Sequence, residues 1–344
     1  VPILGKIGFG GKKTTITVKA FNQFSKNDYE HSLPNGETRK LPHAELNLFG
    51  FLTDSYFKLN EKNTLSWHFW FNRANREIPP TTLQSANYSV QKEASVRNVS
   101  EWKITREKSV TKIRNAVFSD DFRYEDDTIN IHSKNEVLSV ISEIENDFYL
   151  SDNQELNLSF QYSLINAEST GFEEKQTQNR FAFFGSYSLI SNNQKGKITV
   201  NLRQEIIDKN TVPFTPSLGW EYRTNSNLNL FGNVARSFRF PTFNDRYWSP
   251  GGNPDLDSEK GWSEELGIEY KTKIGSSNWR FSTTAFNRNI RNWIIWLPNG
   301  NGIWSPENIL EVRSRGAENE LKIEGKLNQV QWLFSGRYDL VFST

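Results

Sequence analysis

Residues 156–164 read LNLSFQYSL: the even positions are Leu156, Leu158, Phe160, Tyr162 and Leu164, and the odd ones are Asn157, Ser159, Gln161 and Ser163. Successive side chains of a strand point to opposite faces, so this period of two predicts a strand with one apolar face and one polar face. The pattern recurs at Phe181, Phe183, Gly185, Tyr187 and Leu189, and at Leu65, Trp67, Phe69 and Phe71. It appears again where Ile198, Val200, Leu202 and Ile206 alternate with Lys197, Thr199, Asn201, Arg203 and Glu205. A soluble β-sandwich and a membrane β-barrel both produce such alternation, the first turning its apolar face inward and the second turning it to lipid. They part on one observable. In a sandwich the apolar side chains of residues 156–189 are buried, and the protein needs no detergent.

Composition favours the barrel. Aromatic residues make up 14% of the 344 residues, with 11 Trp and 25 Phe, yet the mean hydropathy is −0.66. A membrane barrel resolves that conflict, because it needs one apolar face per strand and leaves its interior and loops polar. The apolar runs, such as residues 293–297, fall far short of the roughly 20 residues of a helical span. Charge is balanced at 41 Lys plus Arg against 40 Asp plus Glu, which gives no field suited to nucleic acid. With no cysteine and four scattered histidines (His31, His43, His68 and His132), thiolate chemistry is excluded. No Ser, His and acid grouping sits in a nucleophile-elbow context and no Gly-rich loop precedes a helix, so the sequence does not read as an enzyme.

About 16 candidate strands can be traced, many of them 10 to 17 residues long, adequate for tilted spans of a bilayer. Short polar turns near Lys12, Asn60, Ser151, Ser191, Thr224, Gly275 and Asn328 alternate with longer connections at 31–42, 79–93, 125–135, 167–178, 242–261 and 298–309. Outer-membrane barrels have this asymmetry, with tight periplasmic turns and elaborated extracellular loops. The expected fold is therefore all-β: an antiparallel transmembrane β-barrel with short turns in the periplasm and long loops outside the cell. No linker rich in Pro, Gly or Ser and no fixed repeat divides the chain, so residues 1–344 are expected to form one domain.

From Asn233 the chain reads NVARSFRFPTFNDRYWSPGGNPDLDSEKGWSEELGIEY. This segment resembles the C-terminal half of TonB-dependent outer-membrane receptors, especially the branch of vitamin B12 and siderophore receptors. The resemblance rests on Arg236, Ser237, Phe238, Arg239, Pro241, Thr242, Phe243, Asn244 and Asp245, then on Gly252, Asn253, Pro254, Asp255, Leu256 and Glu259, and on Glu265 and Gly267. The stretch SRGAENELKIEGKL from Ser314 also resembles a later strand of that family. It implies a bacterial outer-membrane importer that binds a scarce, large ligand, cobalamin or a ferric siderophore-type chelate, with energy delivered by the TonB complex to a plug inside a 22-stranded barrel. On that reading the plug and the last strands lie outside these residues. An outer-membrane barrel that captures glycan or peptide, in nutrient capture or adhesion, is the alternative.

Within the motif, Arg236, Phe238, Arg239, Pro241, Gly252, Asn253, Pro254, Leu256 and Glu259 are expected to shape and stiffen a loop, since Pro cannot donate to a ladder and Gly-Gly-Asn-Pro is a run of turn formers. Candidate ligand contacts in the extracellular loops are Asn244, Asp245, Arg246, Tyr247, Trp248, Asn299 and Trp304. Trp248, Trp293, Trp296 and Trp304 also suit an interfacial aromatic belt, the preferred reading for them. No cofactor is expected. Asp255 and Asp257 are weak candidates for calcium, because their spacing is not that of an EF-hand and surface acidic residues are common.

Overall fold

The computed structural model describes residues 2–33, 36–81 and 86–344. Two compact units are distinguished, residues 1–145 with 161–181, and residues 146–160 with 182–344. The first contains β1 (Pro2–Gly10), β2 (Thr14–Ser25), β3 (Glu30–Ser32), β4 (Thr38–Lys40), β5 (Leu46–Lys58), β6 (Asn63–Glu77), β7 (Val90–Thr105) and β8 (Ser109–Asp126). Three strands are divided between the units: β9 (Ile131–Ser151), β10 (Gln154–Ser169) and β11 (Gln176–Ile190). The second unit continues with β12 (Gly196–Ile207), β13 (Asn210–Thr211), β14 (Thr215–Arg223), β15 (Leu228–Arg239), the helical turn α1 (Phe243–Tyr247), β16 (Glu259–Ile274), β17 (Ser277–Pro298), β18 (Trp304–Leu327) and β19 (Val330–Ser343). Among the described residues, sixteen of these nineteen strands are nine residues or longer once β3, β4 and β13 are set aside, which matches the number read from the sequence.

Pairing follows chain order and is antiparallel. In the first unit β1, β2, β5, β6, β7 and β8 are successive neighbours. In the second, β12, β14, β15, β16, β17, β18 and β19 are successive neighbours. Because facing residues share a face, these registers stack the second unit's side chains into rows. Gly232, Leu266, Ala285 and Ala317 form one row; Leu230, Ile268, Thr283 and Asn319 form the next; Leu228, Tyr270, Phe281 and Leu321 lie beneath it. The opposite face is charged: Arg280 Nε lies 2.5 Å from Glu269 Oε2, and Arg337 Nη2 lies 3.2 Å from Glu318 Oε2.

The apolar face is the exposed one. Leu266 is 59% exposed, Ile268 42% and Tyr270 45%, whereas few large apolar side chains are buried. A monomer in water rarely shows a contiguous apolar surface of this extent, whereas lipid is its natural solvent. The same holds where the sandwich reading makes its opposite prediction: Leu158 is 47% exposed and Phe183 56%. Phe160 packs against Phe183 with ring centroids 4.9 Å apart, a cross-strand aromatic contact on that surface.

The connections keep the expected alternation, with two adjustments. Where residues 125–135, 167–178 and 298–309 read as long connections, the flanking strands leave only 127–130, 170–175 and 299–303, turns of four, six and five residues, the first with Asn130 at φ 53°. A tight turn the sequence reading passed over, residues 106–108, joins β7 to β8, closed by Arg106 N–H donating to the Ser109 carbonyl at 2.8 Å. The long connections read at 31–42 and 79–93 include residues 34–35 and 82–85, which lie outside the described residues.

Candidate functional site: the loop joining β15 to β16

The 20-residue step from Arg239 to Glu259 is folded by its own polar groups. Pro241 ends β15 because it has no N–H for the ladder, and it is fully buried. Thr242 then caps α1: its hydroxyl accepts from Asp245 N–H at 3.1 Å, and the Asp245 carboxylate accepts from Thr242 N–H at 2.9 Å. This reciprocal capping box satisfies two amides that would otherwise lack partners. A helical turn was not anticipated, although Thr242 followed three residues later by an acid is its signature, here with Asp in place of the usual Glu.

Asp245 is also the centre of a buried polar knot. Only 6% exposed, it accepts from Arg239 Nη1 at 3.1 Å and from Trp296 Nε1 at 3.0 Å. The other arm of the Arg239 fork donates to Glu259 Oε1 at 2.6 Å, and Glu259, 7% exposed, also accepts from Ile294 N–H at 2.9 Å. One guanidinium thus joins the end of β15, α1 and the start of β16, while Trp296 and Ile294 tie all three to β17. Two carboxylates on a planar fork are a geometry that arginine provides and lysine does not. Burial pushes the Asp245 carboxyl up, but donors from Thr242, Trp296 and Arg239 outweigh it and hold it below the ordinary carboxylate value. A depressed native value means that the contribution to stability is complete above the unfolded carboxylate value of about 3.9 and is lost as pH falls through the lower native one. Protection of this loop from protease is accordingly expected to persist at mildly acid pH and to disappear only below that range.

The second half of the loop docks on the β17–β18 connection. Asn253 N–H donates to the Asp245 carbonyl at 2.8 Å, and its side-chain amide reaches the Pro306 carbonyl at 3.3 Å. Ser305 Oγ donates to the Gly251 carbonyl at 2.8 Å. Gly251 and Gly252 are there for closeness: a Cβ on Gly251 would lie 2.2 Å from the Trp304 carbonyl oxygen, and one on Gly252 would lie 2.6 Å from Trp248 N. Gly267, further along the motif, seats the Phe231 ring, which a Cβ would meet at 2.2 Å. Gly251→Ala is expected to part the two connections at a cost of about 1–3 kcal/mol, the usual range for overpacking. Gly300→Ala, with nothing within 4 Å, serves as the control, and proteolysis of residues 239–259 reads the difference.

The candidate ligand residues fall into two groups. Asp245 is committed inside the knot, and the Asn299 side-chain oxygen accepts from Asn301 and Ile303 N–H, both at 3.0 Å, within its own turn. Trp304, 58% exposed, and Trp248, 40% exposed, stand at the surface. The Arg246 guanidinium lies 5.3 Å from the Phe240 ring centroid and 4.8 Å from that of Tyr247, a layered cation on α1. Asn244 supplies the carbonyl that takes Trp248 N–H at 3.2 Å. Trp296, read as part of an aromatic belt, is instead part of the knot. Of the remaining motif positions, Arg236 and Phe238 lie on the same strand face as Trp262 and Lys260, away from the knot, and Leu256 is half-buried.

Around Asp257, Asn308 holds the backbone, its Oδ1 accepting from Asp257 N–H at 2.9 Å and its amide donating to the Asp257 carbonyl at 3.1 Å. Asp255 N–H donates to Asn253 Oδ1 at 3.1 Å. Among the described residues no group of three or more His, Asp or Glu is placed to hold a metal ion.

The family model "TonB dependent receptor-like, beta-barrel" matches residues 20–343. Among curated proteins, the vitamin B12 transporter BtuB of Photobacterium profundum is 27% identical over 192 residues, 54% of this chain and 30% of that protein. BtuB of Vibrio vulnificus is 32% identical over 111 residues, 32% of this chain and 18% of that protein. Among solved structures, the siderophore receptor PirA from Pseudomonas aeruginosa superposes with a TM-score of 0.72 at 14% identity, over 99% of this chain and 61% of its own. The FrpB iron transporter from Neisseria meningitidis gives 0.75 at 12%, over 99% and 59%. These structural likenesses establish the fold. The chain spans about a third or less of the curated relatives it matches and about 60% of the solved chains.

Proposed function

Because the chain belongs to the family of TonB-dependent receptor-like β-barrels, we propose that it is the wall of an outer-membrane receptor that binds a scarce, large ligand outside the cell and imports it with TonB-derived energy. The observation that carries this reading is the match over residues 20–343, joined to an exposed apolar face opposite a charged one. Such a wall separates lipid from a polar interior through which a polar ligand can pass.

The β15–β16 loop is suited to recognition because its framework is fixed before any ligand arrives. A buried knot anchors it at both ends, so ordering it costs little on binding. Trp248, Trp304 and the layered Arg246 then offer stacking faces and unspent guanidinium donors. That chemistry suits a ligand with extended flat or chelated ring systems and acidic groups, as cobalamin or a ferric siderophore-type chelate would be.

The test is calorimetric titration of the detergent-solubilised full-length protein with cyanocobalamin, a ferric catecholate siderophore and haem. Saturable binding of one of them, weakened at least tenfold by Trp248→Ala with Trp304→Ala, supports the reading. Failure of all three overturns the importer reading for chelates and leaves glycan or peptide capture.

A further inference from the structure

The exposed face of β15–β18 changes character abruptly along its height. From the row of Leu266 to that of Ile274, β16, β17 and β18 place no charged residue on it. The next rows towards the long connections carry Arg236, Lys260, Arg291, Arg313 and Arg315 on the same face. The first cation on each strand lies two to six residues beyond the last uncharged row.

Two carboxylates share these rows, and both have partners. Glu311 lies 4.0 Å from Arg291 and takes the Asn289 amide, while Glu264 accepts from the Asn287 amide at 3.3 Å. Among the described residues Arg236 and Arg315 have no ion pair, and Arg313 has only Asn287 Oδ1 at 3.1 Å. Arg313 and Arg315 are exposed, and Arg236 is half-buried. The face therefore carries a net positive charge with unspent guanidinium donors.

Its height identifies what it meets. Ten residue steps separate Glu264 from Ile274; at a rise of about 3.3 Å and a tilt of about 40°, they span roughly 25 Å, the height of the lipid-facing band of a barrel. If the uncharged rows lie in hydrocarbon, the cationic rows lie at the headgroups of the leaflet on the long-loop side. At the other end of the same strands, the exposed face shows Ile274, Trp279 and Ile323 and no cation, so the charge belongs to one leaflet.

We propose that the exposed face formed by Arg236, Lys260, Arg291, Arg313 and Arg315 binds the phosphate groups of a phosphorylated lipid in the leaflet on the long-loop side. Phosphate suits it because a guanidinium fork meets two phosphate oxygens at once, and because Arg291, Arg313 and Arg315, from the adjacent strands β17 and β18, can share one multiply charged headgroup with Arg236 flanking it on β15. The inference rests on the membrane-barrel reading and adds to it the chemistry and the side of the lipid. Anchoring there would hold β15 and β16, and hence the knotted loop above them, at a fixed height in the bilayer.

The experiment uses full-length protein in detergent, titrated with diphosphoryl lipid A, with the same lipid stripped of its phosphates, and with inorganic phosphate. A basic side chain near a charged lipid surface contributes about fivefold in affinity, so R236Q with R313Q and R315Q should weaken binding of the phosphorylated lipid about 100-fold. The stripped lipid should not distinguish variant from wild type, and added salt should reduce the difference. Migration of unheated samples in gels checks that the variant is folded. If it is not, R315Q alone, at an exposed and unpaired position, should still cost about fivefold. Equal binding of the phosphorylated lipid by wild type and folded variant overturns the proposal. Equally effective competition by inorganic phosphate also overturns it, because the site would then be for free phosphate. Wild type that enters lipid vesicles without discriminating headgroups removes this inference alone, whereas wild type that never enters them removes the membrane-barrel reading as well.

Discussion

Ile268→Lys is expected to destabilise the protein by about 2–4 kcal/mol in a bilayer, the cost of a lysine near the midplane of a barrel's lipid face. Ile268 is four residues from Glu264 and six from Ile274, so it sits near the middle of the charge-free band. Its exposure of 42% makes the prediction discriminating. On a protein surrounded by water, an isoleucine this exposed tolerates lysine within about 0.5 kcal/mol. Ser282→Lys, on the charged face beside Glu269, should cost no more than that. Denaturant unfolding from lipid vesicles measures both. Equal, small effects would mean that the apolar face does not meet hydrocarbon.

Arg239→Met is expected to cost about 2 kcal/mol, confined to the loop. Removing the guanidinium leaves Asp245 and Glu259 buried and close together with no cation between them. Breaking a fully buried pair in this way costs about 3–5 kcal/mol. The lower figure applies because the Arg239 side chain is 43% exposed, so water can reach the carboxylates it leaves. Hydrogen exchange at residues 243–247 should rise by more than tenfold while exchange in β16 and β17 is unchanged. Arg239→Lys should recover only part of the loss, because a single ammonium cannot bridge both carboxylates along the directions of a fork. Unchanged exchange in the methionine variant would show that the loop is held by its Gly and Asn contacts alone.

The strands were legible because a two-faced strand writes its environment into every second residue, as residues 156–164 and 198–202 do. Their ends were less so. At 125–135 the run of Glu125, Asp126, Asp127 and Asn130 reads as loop, yet strands that continue into water need no apolar face, so polarity does not mark where they stop. The turn at 106–108 escaped for the opposite reason: Arg106, Glu107 and Lys108 include no Gly, Asn or Pro. In the loop, sequence identified Arg239 and Glu259 as shaping residues. It could not show that both meet Asp245, a residue that also reads as a ligand contact. The contribution of Trp296, 51 residues further on, depends on the β15–β16–β17 register, which no local pattern encodes.

The most direct test of the account is a nitroxide scan along β16 of the full-length protein in lipid vesicles, one label at a time from residue 262 to residue 274. Labels at 266, 268, 270 and 272 are predicted to collide with dissolved oxygen and to be shielded from a water-soluble nickel chelate, whereas those at 265, 269 and 271 are predicted to show the reverse. The label at 262 should report the headgroup boundary. A scan without this period of two, or one in which the even positions were shielded from both reagents, would contradict the membrane-spanning barrel and the receptor function built on it.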